Sequence, residues 1–185
     1  MNAFIYHGTA GHPGENWFPW LKDELERLGC SVTVPQFPTP QDQTLEAWFQ
    51  VFDKHAQAYT PDTLLIGHSL GGVFALRVLE RYDARIAGAY FVGTPIGIPP
   101  IKNWEGDQPF IGHPFDWERI KSHARHLRVF HSDNDPYVGL ENGKALAKHL
   151  GIDLSFVPNA GHFNAAAGYT RFDLLLKAIR EDQGL

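Results

Sequence analysis

The sequence predicts an α/β protein in three layers, an open parallel sheet with helices on both faces. Two observations carry that prediction. Short apolar runs of strand length alternate along the chain with segments whose apolar residues recur at helical spacing. The run Leu64-Leu65-Ile66 has no polar alternation, as expected for a strand covered on both sides, and leads through a glycine-rich turn into a helix.

The elements follow in order. Residues 3–7 (Ala-Phe-Ile-Tyr-His) read as a first buried strand, followed by the glycine-rich loop 8–14. Trp17, Trp20, Leu21, Leu25 and Leu28 then mark a helix over 15–28, with Gly29 as its stop. Residues 31–34 form a short strand, closed by Pro35, Pro38 and Pro40. A second helix spans 44–58, with Thr44 placed to cap it and Leu45, Trp48, Val51 and Phe52 on one face. After the central strand come a helix carrying Val73, Phe74, Leu76, Val78 and Leu79, and a strand over 85–92. Residues 93–114, with five prolines and four glycines, show no sustained periodicity. So long a loop in a compact domain suggests function or disorder. A short helix at 115–124, a strand at 127–130, a helix at 139–150, a strand at 152–157 and a closing helix at 164–181 complete the pattern. In the last of these Phe172, Leu175, Leu176 and Ile179 share a face. No repeat or linker divides residues 1–185, which read as a single domain.

Composition excludes several classes of function. A formal net charge of −5 without a basic stripe argues against nucleic acid and acidic membrane surfaces as partners. No apolar run approaches the length needed to span a bilayer, and the N-terminus lacks the basic-then-apolar pattern of a signal peptide. Cys30 is the only cysteine, so no internal disulfide can form; it reads as a small buried hydrophobe. The expected location is cytoplasmic. The closest histidine pairs, His7/His12 and His123/His126, lack a matching cysteine or carboxylate framework, so neither a metal nor another cofactor is expected.

The central turn is Gly67-His68-Ser69-Leu70-Gly71-Gly72, a G-x-S-x-G pattern between a strand and a helix. A serine turning this sharply adopts a strained backbone, and a β-carbon at Gly67 or Gly71 would collide with the neighbouring turn. The turn lifts the hydroxyl above the carboxyl edge of the sheet, where functional groups of open α/β sheets collect. Two other strands end at chemically suggestive stretches: His131-Ser132-Asp133-Asn134-Asp135-Pro136-Tyr137-Val138, and Pro158-Asn159-Ala160-Gly161-His162-Phe163. A hydroxyl needs a base to become a nucleophile at neutral pH, and an imidazole needs a carboxylate to fix its tautomer. Ser69 is the candidate nucleophile, His162 the base and Asp135 the orienting acid. Pro136 biases Asp135 to extended backbone at the end of its turn, whereas Asp133 can bond its own backbone as turn aspartates do. Asp107 and Asp116, in or near the irregular region, are outsiders. An oxyanion hole requires two N–H donors. Leu70, following the nucleophile, is one; Thr9 in the first loop is the preferred second, with Ala10 next. His68, in the variable slot of the turn, reads as packing, and the aromatic residues of helix 15–28 read as core, although Trp17 follows the first loop closely enough to border the pocket.

On Ile66-Gly67-His68-Ser69-Leu70-Gly71-Gly72, Ser132-Asp133-Asn134-Asp135-Pro136-Tyr137-Val138 and Gly161-His162-Phe163, in the order Ser, Asp, His, the chain resembles the small serine hydrolases of the α/β-hydrolase superfamily, retinoblastoma-binding protein nine type. The resemblance covers nearly the whole chain. It implies a compact hydrolase fold of about six parallel strands with no lid domain. The acid directly precedes the proline in that family, which favours Asp135. The first loop, His7-Gly8-Thr9-Ala10-Gly11-His12-Pro13, is less glycine-rich than the family's version. The expected activity is hydrolysis of small carboxylic esters through an acyl-enzyme, with a small acyl substrate as the partner. Two alternatives stand beside it. One is a protein-binding module on a hydrolase scaffold, whose partner the sequence does not name; the other is an acyltransferase or peptidase using the same nucleophile.

Overall fold

The computed structural model describes all 185 residues, Met1–Leu185. Six strands, β1 (Asn2–Tyr6), β2 (Ser31–Thr33), β3 (Thr63–His68), β4 (Ile86–Val92), β5 (Ala124–His131) and β6 (Leu154–Phe156), form one sheet in the order β2-β1-β3-β4-β5-β6. Every neighbouring pair is parallel. The helices are α1 (Phe18–Arg27), α2 (Leu45–Asp53), α3 (Leu70–Arg81), α4 (Trp104–Ile111), α5 (Trp117–Ser122), α6 (Leu140–Leu150) and α7 (Asp173–Gln183). This is the α/β-hydrolase fold in compact form, and no helix is long and apolar enough to cross a membrane.

Alternation along the strands divides the core into two layers. Phe4, Tyr6, Leu65, Phe91 and Val129 face α2, α3, α4, α5 and α6. Ala3, Ile5, Leu64, Ile66, Tyr90 and Phe130 point the other way, onto α1 and α7. The central strands β3 and β4 are buried at every residue, which is why their sequences lack polar alternation. On the α2–α3 side the layer is largely aromatic: Phe37 stacks on Trp48 with ring centroids 4.3 Å apart, and Phe74 packs edge-on against both.

Local signals in the sequence act as anticipated. The Thr44 side chain accepts the Ala47 N–H at 3.1 Å and caps α2. Gly29 takes φ +84° just past α1, where the Gly29 N–H reaches Glu26 O and the Cys30 N–H reaches Leu25 O.

Several boundaries differ, among them the start of β5 at Ala124, where the spacing predicts the end of a helix. The segment 93–114 is not wholly irregular, since it contains α4 with Pro109 inside it. Gly106 and Pro109 erase the periodicity from so short a helix, and tertiary contacts supply what propensity does not. The buried guanidinium of Arg77 on α3 supports the end of α4. It donates to Phe110 O (3.0 Å), His113 O (2.6 Å) and Pro114 O (3.1 Å), cationic donors at a helix C-terminus. The helix anticipated over 164–181 is a 3₁₀ turn (Ala165–Ala167) and then α7, separated by Gly168 at φ +87°. Likewise 44–58 is α2 followed by a separate turn at Ala56–Ala58.

Candidate active site

The carboxyl ends of β1, β3, β5 and β6 open on a cavity of about 390 Å³ whose lining includes Gly8, Thr9, Ala10, Ser69, Lys102, Tyr137 and His162. Ser69 lies between β3 and α3 with φ +53° and ψ −124°, a region non-glycine residues rarely occupy. The surroundings enforce it. The Ser69 N–H donates to Val92 O at 2.8 Å, and Ser69 O accepts the Gly72 N–H at 2.9 Å. Close approach explains the glycines. A β-carbon at Gly67 would lie 2.4 Å from Gly72 Cα, and one at Gly8 would lie 2.8 Å from Ser69 Cβ. Gly8 therefore lets the first loop run directly beside the serine.

His162 is held from several sides. Its Nδ1 lies 2.7 Å from Asp135 Oδ2, and its carbonyl accepts from His68 Nε2 at 2.7 Å. The carbonyl of the next residue, Phe163, accepts from the indole N–H of Trp17 at 2.9 Å. Four successive side chains after β5 staple this loop: Asp133 accepts from Asn159 N–H, Ser132 from Ala160 N–H, Asn134 from Gly161 N–H, and Asp135 meets the His162 ring. Asp135 Oδ1 also accepts the N–H groups of Tyr137 (2.8 Å) and Val138 (3.0 Å), fixing the fully buried carboxylate. Gly93 lies beneath the pair, where a β-carbon would come within 3.2 Å of His162 Nδ1.

Of the residues singled out from sequence, Asp135 and His162 meet directly, and Ser69 and His162 line one cavity. No hydrogen bond joins the Ser69 hydroxyl to the His162 ring; such bonds commonly tighten only around substrate. The Leu70 N–H opens α3 and, as a first-turn donor, has no partner within the helix. In the first loop the Ala10 N–H is taken by Thr39 Oγ1 at 2.7 Å, and Thr9 lines the cavity.

Two expectations need correction. Asp133 does not bond its own backbone: its carboxylate reaches across to Asn159 N–H, because the two loops lie side by side. Trp17 does not border the cavity but is fully buried behind it. Asp107 stays outside the Asp135–His162 pair, as expected, yet has a tie of its own. Buried on α4, it accepts from Thr9 Oγ1 at 2.9 Å and lies near the Gln43 amide, tying the first loop to the segment 93–114. Burial pushes its carboxyl up to about 6. Asn142 on α6 carries no signal in the sequence. Buried, it accepts from Ile96 and Ile98 N–H and donates to Ile98 O, so it anchors the start of the same segment.

Three buried histidines ring the site in neutral form. His7 accepts the Phe37 N–H at Nε2 (3.0 Å), so its Nδ1–H donates to Gly8 O (2.9 Å) and holds the first loop. His68 and His131 donate through Nε2 to His162 O and Val138 O. Burial lowers all three from the ordinary 6.5, His68 to about 3. A histidine depressed in the folded state is protonated first in the unfolded chain, so stability complete above pH 6.5 is lost as pH falls toward the folded values. Asp107 acts in the opposite sense, since its raised value favours the folded state as pH falls from about 6 toward 4. Urea denaturation should therefore show stability declining on acidification below pH 6.5, and more steeply in Asp107→Asn, where the opposing contribution is gone. A flat profile between pH 7 and 4.5, or a shallower one in Asp107→Asn, contradicts this account.

Comparison with known proteins agrees with the geometry. The family model described as serine hydrolase matches residues 3–181. YdeN of Bacillus subtilis (strain 168), described as a hydrolase, is 29% identical over 180 residues, 96% of this chain and 93% of that protein. The serine hydrolase RBBP9 of Rattus norvegicus is 24% identical over 181 residues, again 96% of this chain and 93% of the relative. The crystal structure of the ydeN gene product superposes with a TM-score of 0.93 at 27% identity, covering 100% of both chains. Match and fold together make this chain a member of the serine hydrolase family.

Proposed function

We propose that this hydrolase is carboxylesterase-like and works through a Ser69-His162-Asp135 triad on small carboxylic esters. The observation that carries the reading is the 2.7 Å Asp135–His162 pair beside a strained Ser69 in one cavity. The His162 Nδ1–H donates a hydrogen bond to Asp135 Oδ2, which leaves the Nε2 lone pair as the base. Ser69 Oγ attacks the ester carbonyl while its proton passes to Nε2. The Leu70 and Thr9 N–H groups receive the developing oxyanion, a contribution on the order of 10²–10³ in rate for each donor. Collapse expels the alcohol, protonated by His162, and leaves an acyl group on Ser69. Water, activated by the same imidazole, then attacks the acyl-enzyme and releases the acid.

The support for a triad with an oriented base, as opposed to a bare scaffold, is the number of bonds devoted to His162 and Asp135. A fluorophosphonate should label the folded protein at one site, Ser69, found by mass spectrometry, and should not label Ser69→Ala. An unlabelled Ser69 in folded protein overturns the proposal. Exposure of the acyl-enzyme to competing alcohols or amines separates a strict hydrolase, which gives acid alone, from an acyltransferase.

A further inference from the structure

A second feature of the cavity concerns which esters it accepts, and it rests on the hydrolase reading above. Lys102 lies in the segment before α4. Its backbone is not loose: the Lys102 N–H donates to Tyr137 O at 2.8 Å, the Gly139 N–H donates to Pro100 O at 3.0 Å, and Ile101 pairs antiparallel with Val138. This short ladder ties the lysine to the same loop that carries Asp135. The ammonium sits over the Tyr137 ring, 4.5 Å from its centroid, and no carboxylate lies within 4.0 Å of it. A cation without a carboxylate partner is thus held at the wall of the cavity that contains Ser69 and His162.

Lys102 also lines an adjoining groove of about 580 Å³, with Ile101, Trp104, Pro136 and Tyr137 among its walls. The two spaces share Lys102 and Tyr137, so the ammonium stands where an apolar groove meets the reacting centre. The other ionisable wall of the serine cavity outside the histidines and Tyr137 is Glu15, on the side of the first loop, where burial raises its carboxyl above the ordinary range. Asp135 lines the groove but is paired with His162. Lys102 is the one lysine or arginine among these walls, and no carboxylate pairs with it.

We propose that the enzyme selects esters bearing a carboxylate, with Lys102 as the anion-recognising residue and the groove beside Trp104 holding the apolar part of the substrate. Half-esters of dicarboxylic acids and hydroxybenzoates acylated on the hydroxyl both have this form, with the anion on the acyl or the alcohol side respectively. A neutral ester of the same size lacks the charge contact but meets the same triad, so the discrimination should fall on Lys102 and weaken with salt.

The test measures kcat/KM for matched pairs, 4-nitrophenyl hemisuccinate against 4-nitrophenyl butyrate and 4-acetoxybenzoate against phenyl acetate, and compares the anionic-to-neutral ratio between proteins so that intrinsic reactivity cancels. In Lys102→Met at least one ratio should fall about tenfold, and in Lys102→Glu further, while Lys102→Arg keeps it. In the starting protein 0.5 M sodium chloride should lower the same ratio. Ratios equal in Lys102→Met and the starting protein for both pairs overturn the inference. A measurement without turnover separates this outcome from failure of the hydrolase reading: hemisuccinate binding to Ser69→Ala, followed by tryptophan fluorescence. Loss of binding on adding Lys102→Met supports anion recognition even if Ser69 proves not to be the nucleophile. Equal binding with and without that substitution overturns it.

Discussion

Asp135→Asn should lower kcat by about 10⁴ while leaving the protein folded. The expectation follows from which atoms the carboxylate serves. Oδ1 accepts the Tyr137 and Val138 N–H groups, and an asparagine carbonyl can continue to do so. The amide nitrogen would then stand where Oδ2 now meets His162 Nδ1. Two donors cannot face each other, so the ring takes the tautomer with its proton on Nε2, and the base toward Ser69 is lost. Asp133→Asn is the matched control. Its Oδ1 accepts the Asn159 N–H and, at 3.5 Å, the Ser132 hydroxyl, tasks an amide oxygen performs, so activity should stay within about tenfold. Steady-state rates on a neutral ester, with thermal melts confirming that both variants fold, decide the matter. Comparable losses in the two variants would remove Asp135 from the proposed triad.

Gly71→Ala should be among the most damaging single-methyl additions in the chain, costing more than about 4 kcal/mol or preventing folding. The new β-carbon would lie 2.3 Å from Tyr6 O and 2.5 Å from His7 O. Both are backbone atoms at the end of β1, so no side-chain rotation relieves the overlap; α3 must back away from the sheet. That movement would also separate Leu70 from Thr9, the two proposed oxyanion donors, so any folded fraction should be inactive. Gly14→Ala provides the contrast. Its β-carbon would meet nothing nearer than the His12 ring at 3.5 Å, so the change should stay within about 0.5 kcal/mol. Urea denaturation of the two variants tests the pair, and a loss below about 1 kcal/mol for Gly71→Ala would show that the elbow has slack the structure lacks.

The parts of this molecule legible in the chain are those written in short-range pattern. Buried strands declare themselves by unbroken apolar runs, as in β3, and helices by spacing, as in α1 and α7. The nucleophile turn announces itself because contacts within six residues forbid side chains at Gly67. From these, and from strand ends in a parallel sheet, Ser69, Asp135 and His162 could be named before any coordinate was known. Boundaries near glycine and proline, as at α4, are less legible because their stability comes from partners such as Arg77, 33 to 37 residues away.

The chain by itself determined the strand–helix alternation, the elbow, and which residue types stand at the ends of β3, β5 and β6. Only the tertiary structure decided how those ends are secured: Asp133 on Asn159, Trp17 behind Phe163, Asp107 on Thr9, and Lys102 at the cavity wall. The physical reason is range. A hydrogen bond between side chain and backbone needs its partners within about 3.2 Å, but the sequence distance between them is unconstrained, so no local pattern records it. Burial acts the same way. Whether a carboxylate such as Asp107 is surrounded by protein or by water depends on what folds over it, and that sets both its charge and the part it plays.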